Sequence, residues 1–117
     1  MSREKRLLDY IDDIRSAASD AVSFIEDVSF EEFQNDRKTQ RAVIMCLIIV
    51  GEASSRIVER HREFIDSHPS LPWQEMGGLR NRVVHRYSDI NLEIVYETVR
   101  TSLPLLVKQL SGINVED

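Results

Sequence analysis

Nine consecutive residues, Ala42 to Val50, are apolar. They sit in a stretch that reads as one long helix, from an Asp36 N-cap to about Ile65. A helix that is apolar all round must be surrounded. In a chain of 117 residues this makes it the central helix of the core, or one that also meets a second subunit. The run is too short to cross a bilayer, which takes ~20 residues. Only four glycines and three prolines interrupt the chain, and its many Leu, Ile, Glu and Arg residues favour helix over sheet. The expected fold is all-α, an antiparallel four- to five-helix bundle forming a single domain over residues 1–117, long enough to bury a core.

The remaining elements follow from spacing. Leu7, Ile11, Ile14, Ala18, Ala21 and Ile25 step by three and four, which predicts a first helix from about Arg3 to Glu26. Ser29 with Glu32 fits a capping box, so a short helical turn is expected near residues 30–34. Val50, Ile57, His61 and Phe64 form one stripe in the second half of the long helix. The loop from His68 to Pro72 ends it. A fourth helix lies within Pro72 to Tyr87. It is weakened by Gly77 and Gly78 at ~1 kcal/mol each, a pair that marks either a break or a close approach of backbones. Asn91 caps a fifth helix with Leu92, Val95, Val99, Leu103, Leu106 and Leu110 inward, bent by Pro104.

Composition excludes several classes of function. The net charge of −5 argues against a general nucleic-acid-coating protein. Locally, however, Leu79 to Tyr87 holds three arginines, one histidine and no acid. The single cysteine, Cys46, can form neither an internal disulfide nor a multi-cysteine zinc site, and it reads as a buried thiol in a reducing compartment. Met1 to Arg6 leads straight into amphipathic sequence without a signal-peptide core, so the cytoplasm is the expected location. His61 and His68 flank Glu63, but their spacing and the intervening helix end do not suit a metal site. Tyr10 and Tyr96 read as packing residues. No phosphate-binding glycine loop and no serine nucleophile motif is present.

Two groups break the apolar pattern. Trp73, Met76, Arg80, Val83 and Tyr87 share one helical stripe, which places Arg80 among inward-facing residues. A guanidinium there needs a carboxylate or phosphate partner. Glu52, an acid equally out of place after Met45 and Ile48 on the long helix, is the candidate. His85 and Asn81 share another face, with Ser88 nearby, about 140° around from Arg80 at 100° per residue. Two readings stand side by side. In one, Arg80–Glu52 is a structural ion pair, His85 packs, and the patch serves a non-catalytic interaction or nucleotide-binding module. In the other, Arg80 and His85 act together on a phosphate, with a two-fold axis bringing two copies of the helix into one cleft.

The stretch Gly51-Glu52-Ala53, then Pro72-Trp73, then Leu79 to Tyr87 resembles the HepT-like branch of the HEPN superfamily. Its motif is an arginine, a polar residue, three further residues, a histidine, any residue and a tyrosine. Arg80, Asn81, His85 and Tyr87 meet it in full. The resemblance covers about residues 40–100.

It implies a homodimeric helical bundle acting as a metal-independent endoribonuclease without a cofactor. It also implies a toxin neutralised by a separate minimal nucleotidyltransferase, the MntA-type antitoxin, which transfers AMP to the tyrosine matching Tyr87. On this reading Arg80, Asn81 and His85 are catalytic and Glu52 supports Arg80. Arg82 and Arg86 bind flanking RNA phosphates.

Overall fold

The computed structural model describes residues 6–84 and 90–113. Helix α1 spans Leu7–Ile25, α2 Phe30–Gln34, α3 Arg37–Arg60, α4 Arg62–Ser67 and α5 Trp73–Val84. A C-terminal rod follows, made of α6 (Leu92–Glu97), a π turn (Thr98–Ser102) and α7 (Leu103–Ser111). No strand occurs among the described residues. The expected all-α bundle is the observed fold.

The helix starts carry the expected side-chain caps. Ser29 Oγ accepts from Glu32 N–H at 3.1 Å, and Glu32 Oε1 accepts from Ser29 N–H at 3.0 Å. Asp36 Oδ1 accepts from Thr39 N–H at 3.1 Å, and Asn91 Oδ1 from Ile94 N–H at 3.1 Å. These bonds satisfy backbone donors that the first helical turn leaves unpaired. The Ser29 backbone N–H holds the Glu32 carboxyl below its ordinary pKa, and the Thr39 hydroxyl does the same for Asp36. A depressed carboxylate pKa contributes stability above the unfolded value that is lost as pH falls through the folded one. Both caps therefore weaken in acid.

Contacts across the core fix the directions of the helices. Arg60 near the end of α3 donates to the Tyr10 hydroxyl near the start of α1, at 3.2 Å, so these helices run antiparallel. Gly51 meets Arg80 and Gly77 meets Ser55, so α3 and α5 are also antiparallel. The Tyr96 hydroxyl donates to Val28 O beyond the end of α1, at 2.6 Å. Further back along α1, the Arg15 guanidinium bonds Leu110 O at 2.8 Å and also Ile113 O. The rod therefore runs back along α1, and a cation caps its last carbonyls. Ile11, Ile14, Leu47, Val50, Ile57, Leu103 and Leu110 are fully buried between these helices. Among the described residues no helix is long and apolar enough to cross a membrane.

Several expectations need correction. The long helix ends at Arg60, not near Ile65, and His61 joins it to the separate α4. There His61 is half-buried, its ring edge-on to Tyr10 at 6.3 Å. Helix α5 runs unbroken through Gly77 and Gly78, so neither residue breaks it. Among the glycines the close approach is at Gly51 instead, where a Cβ would lie 2.9 Å from Arg80 N. At Pro104 what the structure shows is a change of winding. Proline has no N–H and its ring crowds the carbonyl four residues back. The turn just upstream widens to a π turn, in which Leu103 N–H bonds Thr98 O.

Cys46 is free and buried, and burial pushes its thiol pKa up, as expected of an inert thiol. Ser54 is fully buried and its hydroxyl has no hydrogen-bond partner. An unpaired buried hydroxyl costs ~1–3 kcal/mol, and alanine is the better helix former. Ser54→Ala is therefore expected to raise the urea midpoint at unchanged m-value. A midpoint that falls would show that the hydroxyl is bonded.

Candidate active site

The site is built on the facing sides of α3 and α5. Trp73, Met76, Leu79 and Val83 of α5 are buried, and Trp73 is further anchored by its Nε1 donating to His68 O at 2.9 Å. Arg80 does not belong to that stripe, which corrects the sequence expectation. Leu79 points inward in its place, and the Arg80 side chain is 50% exposed. Leaving a guanidinium half in water avoids most of its desolvation cost.

The expected partner is correct. Arg80 Nε lies 2.7 Å from Glu52 Oε1, with the Glu52 side chain 47% exposed. This is an ion pair, and no hydrogen bond from the guanidinium to another described residue accompanies it. The carboxylate beside Nε holds the charge pair together on the protein side, and a guanidinium offers further donors in a planar fork, the geometry that grips phosphate oxygens.

Gly51 makes this closeness possible. With no side chain between the backbones, the two helices approach until Arg80 and Glu52 are neighbours. The sequence shows a glycine there but does not reveal that it sits at a helix crossing.

Met45, Ile49, Glu52 and Arg56 form a stripe along α3 at spacings of four, three and four. Met45 is 55% and Ile49 38% exposed. The nine-residue apolar run is thus covered by α1 and α5 on its buried sides and bare on the side that carries Glu52. Beside this stripe a cavity of about 350 Å³ opens between α1 and α3, bordered by Tyr10, Ile48, Ile49 and Glu52.

Asn81 and Arg82 are both exposed. Arg82 lies on the flank of α5 away from Glu52, where it lines a cavity against the C-terminal rod. Arg80 and Arg82 of one chain therefore do not converge on one point. His85, Arg86 and Tyr87 lie outside the described residues. Among the described residues no group of three His, Cys, Asp or Glu side chains is placed to hold a metal ion.

Comparison with known proteins places this helix pair in a defined class. Residues 7–113 match the HepT-like family, described as ribonuclease HepT-like, and the chain belongs to that family. Among its relatives is the "Probable ribonuclease HepT" of Thermococcus cleftensis, 38% identical over 98 residues, covering 84% of this chain and 86% of that protein. A "Putative RNase" of Methanocaldococcus jannaschii is 36% identical over 104 residues, 89% of this chain and 84% of the relative. Another, from Caldanaerobacter subterraneus subsp. tengcongensis, is 32% identical over 104 residues, 89% and 90% of the two chains. No solved structure gives a significant match.

Proposed function

We propose that this chain is a metal-independent endoribonuclease, the toxin of a toxin–antitoxin pair, acting in the cytoplasm as a homodimer folded from single-domain chains. The observation that carries the reading is the guanidinium of Arg80, paired with Glu52 and half-exposed to solvent, in a chain of the ribonuclease HepT-like family.

RNA supplies its own nucleophile. The 2′-oxygen attacks phosphorus, a 2′-O–P bond forms, and the P–O5′ bond breaks. His85 accepts the 2′-hydroxyl proton, and an imidazolium returns a proton to the leaving 5′-oxygen. Arg80 stabilises the charge that builds on the phosphoryl oxygens, and Asn81 adds a hydrogen bond. Arg82 and Arg86 hold neighbouring phosphates. Two copies of His85 across a dimer axis divide the base and acid roles.

The bare Met45–Ile49 stripe beside Glu52 and Arg80 supports the dimer. An apolar patch next to a site is the kind of surface a second subunit covers. Size exclusion with light scattering at micromolar concentration is expected to give twice 13.6 kDa. A monomer would remove the shared cleft.

Control falls to Tyr87. A minimal nucleotidyltransferase of the MntA type transfers AMP from ATP to its hydroxyl, forming an O–P bond and releasing pyrophosphate. The added phosphate then pairs with the arginines that would hold RNA. Incubation with such a nucleotidyltransferase and ATP is expected to add the mass of AMP at Tyr87 and to stop RNA cleavage. Modification at another residue, or equal silencing of Tyr87→Phe, would remove Tyr87 as the switch.

A further inference from the structure

On the far flank of α5 from Glu52, a cavity of about 320 Å³ opens between this helix and the C-terminal rod. Helix α5 packs along α3 and makes little direct contact with the rod, which leaves this corner open among the described residues. Leu47, Leu79 and Val95 form an apolar floor, and Arg82, Asn91 and Thr98 bring polar side chains to it.

Each of those polar groups keeps donor capacity to spare among the described residues. Arg82 forms no ion pair there. Asn91 spends its Oδ1 on capping Ile94 N–H, which leaves its amide NH₂ free to donate. The hydroxyl of Thr101 bonds Glu97 O at 2.7 Å, the usual back-bond of a helical threonine. Thr98, which opens the π turn, makes no such bond. A π turn inside a helix often marks a functional position, and here it carries a free hydroxyl at the cavity.

We propose that this cavity takes the base of an RNA nucleotide next to the scissile phosphate, with Arg82 pairing that nucleotide's phosphate. The inference rests on the reading of the chain as a ribonuclease and adds a base subsite to it. An apolar pocket with a few convergent polar groups is the general form of a small-ligand site, and this volume suits one base better than a large ligand. The Asn91 amide can donate to an acceptor on a base edge, and the Thr98 hydroxyl can donate or accept there. The unpaired cation at its rim complements a phosphate. Arg82 follows Arg80 and Asn81 on α5, so a strand that crosses this helix from the proposed cut would reach the pocket on its other flank.

The test titrates AMP, GMP, CMP and UMP separately into ¹⁵N-labelled protein and, in parallel, maps cut sites in an RNA of random sequence. Expected are saturable shifts at Leu79, Arg82, Val95 and Thr98 that differ among the four nucleotides, with a base preference beside the cut. Thr98→Leu fills the cavity and is expected to abolish the shifts and raise KM about tenfold, the equivalent of 1.4 kcal/mol. Thr98→Val keeps the volume and removes the hydroxyl, so it guards against misfolding in the leucine variant. It is expected to change the base preference without filling the pocket. Absence of nucleotide shifts in the wild type overturns the subsite, as does an unaltered preference in both folded variants. An apolar peptide side chain as the true occupant would give that same negative result. Nucleotide binding at the cavity without any RNA cleavage would uphold the pocket and overturn the ribonuclease reading.

Discussion

Gly51→Ala is expected to lower stability and to disable the site together, through one added methyl group. Its Cβ would meet Arg80 N at 2.9 Å, Arg80 Cβ at 3.2 Å and Met76 O at 3.4 Å. Two of these are backbone atoms, so rotating a side chain gives no relief. In an open helix the substitution would gain ~1 kcal/mol from helix propensity. Overpacking in a tight core costs ~1–3 kcal/mol, and at a backbone-to-backbone contact the upper part of that range applies. The net expectation is a loss of about 1–2 kcal/mol, read as a lower urea midpoint. RNA cleavage should fall by more than the small unfolded fraction explains, because separating α3 from α5 pulls Arg80 off Glu52. Gly78→Ala is the matched control. A Cβ there meets nothing within 4 Å, so that variant should be neutral or more stable. Equal behaviour of the two variants would refute the close-approach account.

Arg80→Ala and His85→Ala should each reduce RNA cleavage by on the order of a thousandfold, the scale of losing a general acid–base group or a transition-state donor. Stability should change little in Arg80→Ala. Its ion pair with Glu52 is half-exposed on both sides, and such pairs contribute under ~1 kcal/mol. Arg80→Lys keeps the charge but loses the fork and the Nε anchor, so it should recover little activity. Glu52→Gln removes the charge paired with Arg80 and should cost about tenfold. A melting temperature that collapses in Arg80→Ala, with cleavage per folded molecule intact, would return the pair to a structural role.

Short-range chemistry made the helix starts legible. Ser29 with Glu32, Asp36 and Asn91 each cap a helix through bonds within three residues, and no tertiary information is needed to anticipate them. The Arg80–Glu52 pairing was legible because charges set in apolar sequence have few acceptable partners. The exposure of Arg80 was not. Trp73, Met76, Leu79, Val83 and Trp73, Met76, Arg80, Val83 both step by three and four, so periodicity cannot choose between Leu79 and Arg80. The helix crossing at Gly51 and the desolvation cost of a guanidinium decide it. The break at His61 has no local signature in glycine or proline. The cavity beside Thr98 depends on a π turn and a missing helix–helix contact, which a single-sequence pattern does not encode.

The most direct test of the central claim is the chemistry of the RNA ends produced by purified protein in the presence of EDTA. Attack by the 2′-hydroxyl under Arg80 and His85 predicts cleavage that survives the chelator, leaving a 2′,3′-cyclic phosphate or its hydrolysis product on one fragment and a 5′-hydroxyl on the other. Cleavage that needs a divalent metal and leaves 5′-phosphate ends would contradict it.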